Sequence, residues 1–217
     1  MPDSSHWTWN PVTHDYTHQE SGRVYSPDDM VDVRDRFIDR LSERVRELAA
    51  RLARAEISPA EWEQDMRKLI KSAYIDQYLV ARGGRAQMTF ADWGRIGRLV
   101  RTQYKYLHDF CRDVEGGRYT DPEGNTNDLA IAARGVMYMR SSATAYERGQ
   151  AAAYGISRLP AYPGQDCEGL ANCRCHWRIV PAQGGGWACY WIVRGDENTC
   201  STCAAHGREW NPLYVGR

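Results

Sequence analysis

The chain has almost no lysine, no net charge and no long apolar run, and the last two deficits each remove a class of function. Lysine occurs only at Lys68, Lys71 and Lys105, so arginine supplies nearly all the positive charge, a bias that carries no functional weight by itself. The 28 basic residues are balanced by 28 acidic ones over 217 positions. The field that draws a protein onto nucleic acid is therefore missing at chain level. The tail from Ile156 onward holds 6 basic and 5 acidic residues, so neither part of the chain is a basic arm. No stretch approaches the roughly 18 apolar residues needed to cross a bilayer. The segment Met1 to Trp7 has neither a basic n-region nor an apolar h-region, so the chain reads as soluble and unexported, with no membrane partner. Phosphate-binding G-x-x-x-x-G-K-[ST], G-x-S-x-G, H-E-x-x-H and strand-linked G-x-G-x-x-G motifs are all missing. The carboxylates fall mainly on helix faces and caps, and the expectation is a protein that is not an enzyme.

What is present is capped helices. Ser26-Pro27-Asp28-Asp29 combines a capping hydroxyl, a proline suited to the first helical position and two acids at the positive end of the dipole. Met30, Val33, Phe37, Leu41, Val45, Leu48 and Leu52 follow at steps of three or four, while Arg34, Asp35, Arg36, Asp39 and Arg40 fall on the face assigned to solvent. Ser58-Pro59-Ala60-Glu61 repeats the device with a capping box and predicts a second helix from Pro59 to about Arg82, ended by Gly83-Gly84. Thr89 caps a third, from Phe90 to about Val114. A fourth, rich in alanine and glycine, is expected from about Asn127 to Tyr154. Residues 1–25 hold Trp7, Trp9, Tyr16 and Tyr25 without a period of 2 or 3.6 and read as an irregular arm, whose aromatics could anchor on a neighbouring subunit.

After Gly155 the composition changes. His176 to Val180 and Trp187 to Val193 alternate like two strands of a hairpin, joined by a Gly-rich turn. The fold class expected is therefore mainly α: an elongated antiparallel helical bundle followed by a small zinc-stabilised β-hairpin module. Its parts are an arm (1–25), a four-helix region (26–155) and a cysteine-rich module (156–217).

Six of the seven cysteines lie in that module, and five flank the hairpin: Cys167, Cys173 and Cys175 before it, Cys200 and Cys203 after it. A closed hairpin brings its two ends together, so thiolates from both sides can surround one tetrahedral zinc ion. The preferred set is Cys167, Cys173, Cys200 and Cys203, with Cys175 the main substitute for Cys173 and His176 or His206 as outside candidates. Cys189, in mid-strand, and Cys111, three residues after His108, read as packing residues. An all-thiolate shell is closed and poor at activating water, which makes the expected zinc structural. A disulfide framework is the competing use of the same residues, suited to a chain that ends in an extracellular particle.

The segment Leu159-Pro160-Ala161-Tyr162-Pro163-Gly164, then Cys167, Asn172-Cys173-Arg174-Cys175-His176-Trp177 and Cys200-x-x-Cys203, leading to Glu209-Trp210-Asn211-Pro212-Leu213, resembles the C-terminal part of minor head proteins of tailed bacteriophages, the phage head morphogenesis proteins. The similarity covers about a quarter of the chain. In related head proteins the Cys-x-x-Cys often precedes the Cys-Arg-Cys, whereas here the order is reversed. The resemblance implies a minor capsid protein of the virion head, made in the host cytoplasm and associated with the portal vertex. Its implied role is in viral capsid assembly, or in packaging and delivery of DNA. The implied partners are the portal protein, the major capsid protein or further copies of the chain, with nucleic acid met only as packaged genome. The rival expectation is a zinc-dependent nucleic-acid-binding regulator, in which Arg174, Arg178, Arg194 and Arg208 touch phosphates while Trp177, Tyr190 and Trp191 stack on bases.

Overall fold

A computed structural model of the chain describes residues 6–195 and 199–216. Three long helices begin where the capping chemistry places them: α1 (Pro27–Ala53), α2 (Pro59–Arg82) and α3 (Phe90–Glu115). Each starts with a reciprocal box. At Ser58, for example, the hydroxyl accepts the Glu61 N–H at 3.2 Å while the Glu61 carboxylate accepts the Ser58 N–H at 2.8 Å. Two donors that the first helical turn would otherwise leave unpaired are thereby satisfied. Gly83 closes α2 in the left-handed region, at φ 88°, where a side chain would also collide with Trp9.

The expected fourth helix is two helices, α4 (Asp128–Ser141) and α5 (Ala143–Ala153). The break has a local cause. Ser141 and Ser142 turn their hydroxyls back onto the carbonyls of Met137 and Met139, at 2.8 and 2.6 Å, and so compete with the helical ladder. The helices share a core that includes Leu41, Val45, Trp62, Met66, Ile70, Ile96, Leu107, Ile131 and Met139. Two assignments along α1 change: Arg34 is buried, whereas Val33 and Phe37 are only partly covered.

The N-terminal segment corrects the expectation of an irregular arm. Residues 7–25 form a three-stranded antiparallel sheet of β1 (Trp7–Asn10), β2 (Asp15–His18) and β3 (Val24–Tyr25), with Trp9 opposite Tyr16 and Tyr16 opposite Tyr25. Its aromatics anchor on this chain. Trp7, Trp9 and Tyr16 are buried, and the Tyr16 hydroxyl donates to the Ala81 carbonyl at the end of α2, 2.7 Å away. Strands this short bury at most two side chains each, Trp7 and Trp9 from β1 and Tyr16 from β2, too few for a period to emerge.

Beyond α5, β4 (His176–Pro181) and β5 (Trp187–Ile192) form the expected hairpin, pairing Trp177 with Trp191 and Ile179 with Cys189. Two elements are additional: a helix α6 (Ser201–Glu209) and a strand β6 (Leu213–Val215), which pairs with β5 and completes a second antiparallel sheet. The fold is thus mainly helical with two small antiparallel sheets. The change of composition at Gly155 does not mark a gap in packing. Trp7, Trp9, Tyr16, Met30, Ala81, Tyr146 and Tyr154 form one buried cluster with Cys167, Trp177, Trp191 and Cys203.

Helices α2 and α5 meet closely enough to require a glycine. A Cβ on Gly149 would lie 2.6 Å from the Tyr78 carbonyl oxygen and 3.1 Å from the Ala81 Cβ. Gly149→Ala is expected to destabilise the protein by about 1–3 kcal/mol through overpacking. Gly97→Ala, on an open stretch of α3, should instead stabilise by roughly 0.5–1 kcal/mol. Thermal melts of the two variants test the contrast, and equal shifts would contradict it.

Candidate metal centre

Three loops deliver the thiols. Cys167 follows the turn after Pro163, Cys173 and Cys175 lie between a short 3-10 turn at Leu170–Asn172 and β4, and Cys200 and Cys203 open α6. The sulfurs of Cys167, Cys173 and Cys203 all lie within 4.8 Å of one another. The Cys173 and Cys203 sulfurs are 3.5 Å apart. Two sulfurs each about 2.3 Å from a shared ion at tetrahedral angles would be about 3.8 Å apart, so the spacing suits a metal and is much longer than a disulfide bond of about 2.05 Å. All seven cysteines are free thiols.

Cys175 and Cys200 surround this trio. Both line a void of about 10 Å³ together with Cys173 and Cys203, and Cys175 acts electrostatically on Cys173. Cys200 is the N-cap of α6, its sulfur accepting the Cys203 N–H at 3.5 Å. That bond is the amide-to-sulfur contact a C-x2-C knuckle provides, made here by a helix start, where the dipole also favours a thiolate. Across the centre, the Ser201 hydroxyl donates to the Glu168 carboxylate at 2.7 Å and ties the first cysteine loop to α6.

Without a cation these thiols hold their protons. Burial, and then the neighbouring Cys173, push Cys203 far up; Cys173 and then burial do the same to Cys167. At Cys173 itself the Cys167 thiol acts downward, and Cys175 together with burial outweighs it. A cation at the centre of the cluster reverses this balance by stabilising every thiolate at once.

The remaining sequence candidates sit elsewhere. Neither His176 nor His206 joins the thiol trio among the described residues. His206 stacks on Trp210 at 3.9 Å, and burial pushes His176 down to about 4. Cys189 and Cys111 are buried hydrophobes with thiols raised by burial, to about 11 and about 12 respectively. His108 is exposed while Cys111 is buried. Trp177 and Trp191, offered above as surfaces for stacking bases, are buried and pack edge to face at 5.2 Å. Arg178 and Arg194 face Asp28 and Asp35, at 3.7 and 3.4 Å.

One residue important to the centre went unrecognised in the sequence. Glu147 of α5 is fully buried and accepts the Trp177 N–H at 2.9 Å on one oxygen and an Arg34 N–H at 2.8 Å on the other. It joins α1, α5 and β4, the strand that directly follows Cys175. The Trp177 indole N–H donates to the Ala161 carbonyl at 3.0 Å, fixing the approach to Cys167.

Comparison with protein-family models, with curated proteins and with solved structures finds no match to this chain. Among the described residues no helix is long and apolar enough to cross a membrane. The class defined by fold and site together is a mainly helical protein with a buried thiol cluster able to hold a metal ion.

Proposed function

We propose that the thiol cluster is a structural, four-thiolate zinc centre, and that the chain is a non-catalytic building component of a tailed-phage head. One observation carries the metal reading. Three sulfurs, two from the loop before β4 and one from the first turn of α6, converge within 4.8 Å, two of them on buried residues, beside a void of about 10 Å³. That space suits an ion or a single water and leaves no room for a substrate beside the metal. Cys167, Cys173 and Cys203 would hold the ion, with Cys200 or Cys175 as fourth ligand. Zinc supplies four bonds and no redox chemistry, and its shell would staple the ends of the β4–β5 hairpin to α6. The thiols pack among Trp177, Trp187, Trp191 and Trp210 and the aliphatic Ile179, Val193 and Leu213, and a metal would add stability to this small core.

The head assignment is supported by the Asn172-Cys173-Arg174-Cys175 and Cys200-x-x-Cys203 motifs in their tail context. Long capped helices in an elongated antiparallel arrangement would offer contact faces to portal or capsid subunits. The test is mass spectrometry of purified procapsids and virions, with this chain quantified against portal and major capsid protein. A portal-associated component should appear in numbers comparable to the portal ring. Complete absence from both particles would contradict the assignment while leaving the metal reading intact.

A further inference from the structure

Helix α3 packs on α2, and α4 packs on α1, so α3 and α4 leave a furrow between them with Tyr74 of α2 in its lining. The furrow encloses about 580 Å³, within the range of established ligand sites. Its lining is unusual in charge. Arg95 and Arg98 of α3, Arg134 of α4 and Arg148 of α5 all contribute, and no carboxylate does. Arg95 is paired with Asp92 at 3.0 Å. Among the described residues Arg98, Arg134 and Arg148 have no acidic partner: Arg148 donates to the Gln165 amide oxygen at 2.9 Å, and Arg134 only approaches the Met137 sulfur at 4.0 Å.

Two further polar groups lack partners there. The Tyr138 hydroxyl is buried without a hydrogen bond on a residue only 4 % exposed, and the Arg148 Nε is likewise buried and unpaired. The Arg148 guanidinium also stacks over the Tyr162 ring at 4.1 Å, which holds it in place at the furrow. Apolar surface accompanies them. Leu99, Met137 and Leu170 line the same furrow, and Leu170 is held at a positive φ of 43° with its side chain 57 % exposed.

The length of the furrow favours an extended occupant. One side is formed by α4 and α5, and on the other, from Arg95 to Tyr106, it follows α3 for about 16 Å. That is the reach of three turns of helix, longer than a small carboxylate or a single phosphate can use. We propose that the furrow between α3 and α4 docks an acidic amphipathic segment of a partner polypeptide, whose carboxylates meet Arg98, Arg134 and Arg148 while its apolar side chains lie on Leu99, Met137 and Leu170. The mode is a helix or strand in a groove, with the arginine fork selecting carboxylates and the apolar floor providing contact area. It is independent of the head assignment, and it shares with the metal centre the loop on which Leu170 lies between Cys167 and Cys173.

The test uses the full-length protein and a library of random peptides about 15 residues long, a length that spans the furrow. Arg98→Glu plus Arg134→Glu serves as counter-target. Both residues are exposed and away from the core, and the thermal midpoint of the double variant, matched to wild type, confirms that it is folded. The expected result is enrichment of net-acidic peptides with spaced apolar residues, which bind the charge-reversed protein at least about tenfold more weakly and lose affinity with added salt. Enrichment of neutral or basic peptides, indifference of acidic ones to the charge reversal, or no enrichment at all would overturn the proposal. So would tighter binding of a single-stranded oligonucleotide or of free glutarate than of the selected peptides.

Discussion

Stripping metal with a strong chelator, or replacing Cys203 by serine, should abolish the near-ultraviolet circular dichroism of Trp177, Trp191 and Trp210, which pack with His206, while most far-ultraviolet helical signal persists. Those rings pack at 3.9 to 5.7 Å around α6 and β5, and α6 starts at Cys200 and Cys203, so losing the proposed ion would release it. A structural zinc site is worth about 10–16 kcal/mol of apparent binding free energy in small peptides, and in such a domain most of that is folding free energy. The damage should also reach backwards. Because Trp9, Tyr16 and Tyr154 share a cluster with the thiols, amides of β1 and β2 should lose hydrogen-exchange protection together with those of β4 and β5, whereas the α1–α3 core around Trp62 keeps its own. Unchanged near-ultraviolet signal after complete chelation would exclude a structural role for the metal. Loss of all helicity in the same step would show that the helices cannot stand without the centre.

Breaking the buried ion pair should be nearly as costly. Arg34 is 1 % exposed and Glu147 wholly buried, with 2.8 Å between them. Removing Arg34 leaves the buried Glu147 carboxylate without its cation, for which about 3–5 kcal/mol is expected, whereas removing Glu147 still leaves Arg34 paired with Asp35 at 2.9 Å. Arg34→Met alone should therefore lower the denaturation midpoint sharply. Arg34→Met combined with Glu147→Leu should recover much of the loss, since two apolar side chains need no partner, although the Trp177 N–H then loses its acceptor. A double variant as unstable as the sum of the singles would contradict the coupling.

The same carboxylate sets a pH dependence. Burial raises Glu147 to about 7 from an ordinary 4.5, against the opposing pull of Arg34 and the Trp177 N–H. A group whose folded value lies above its unfolded one contributes stability that is complete below the unfolded value and lost as pH rises through the folded one. This contribution should therefore decline from about pH 4.5 to about pH 7. Glu147→Gln should remove that component of the slope, as read from denaturation midpoints across the interval.

The helices were legible because their starts are chemical. A serine or threonine followed three residues later by an acid marks α1, α2 and α3, and the cap geometry matches. The break in the fourth helix was less legible, since Ser141 and Ser142 are ordinary in a helix until their hydroxyls turn inward. The hairpin emerged from alternation, but α6 and β6 are too short for a period. Arg34 was assigned to solvent because it lies one step off the apolar stripe, and only the arrival of Glu147 from 113 residues away makes it a core residue. At the thiol cluster, spacing identified which cysteines flank the hairpin. It left Cys175 as a substitute for Cys173, and folding places the Cys173 sulfur with those of Cys167 and Cys203. The arginine furrow had no signature at all, being assembled from helices far apart in sequence.

The most direct measurement is metal analysis of the purified protein combined with X-ray absorption at the zinc edge. A structural four-thiolate centre requires one zinc per chain and four sulfur neighbours at about 2.3 Å. Cysteines paired as disulfides, a chain that binds no zinc, or a shell with nitrogen or oxygen ligands and an exchangeable water would contradict it.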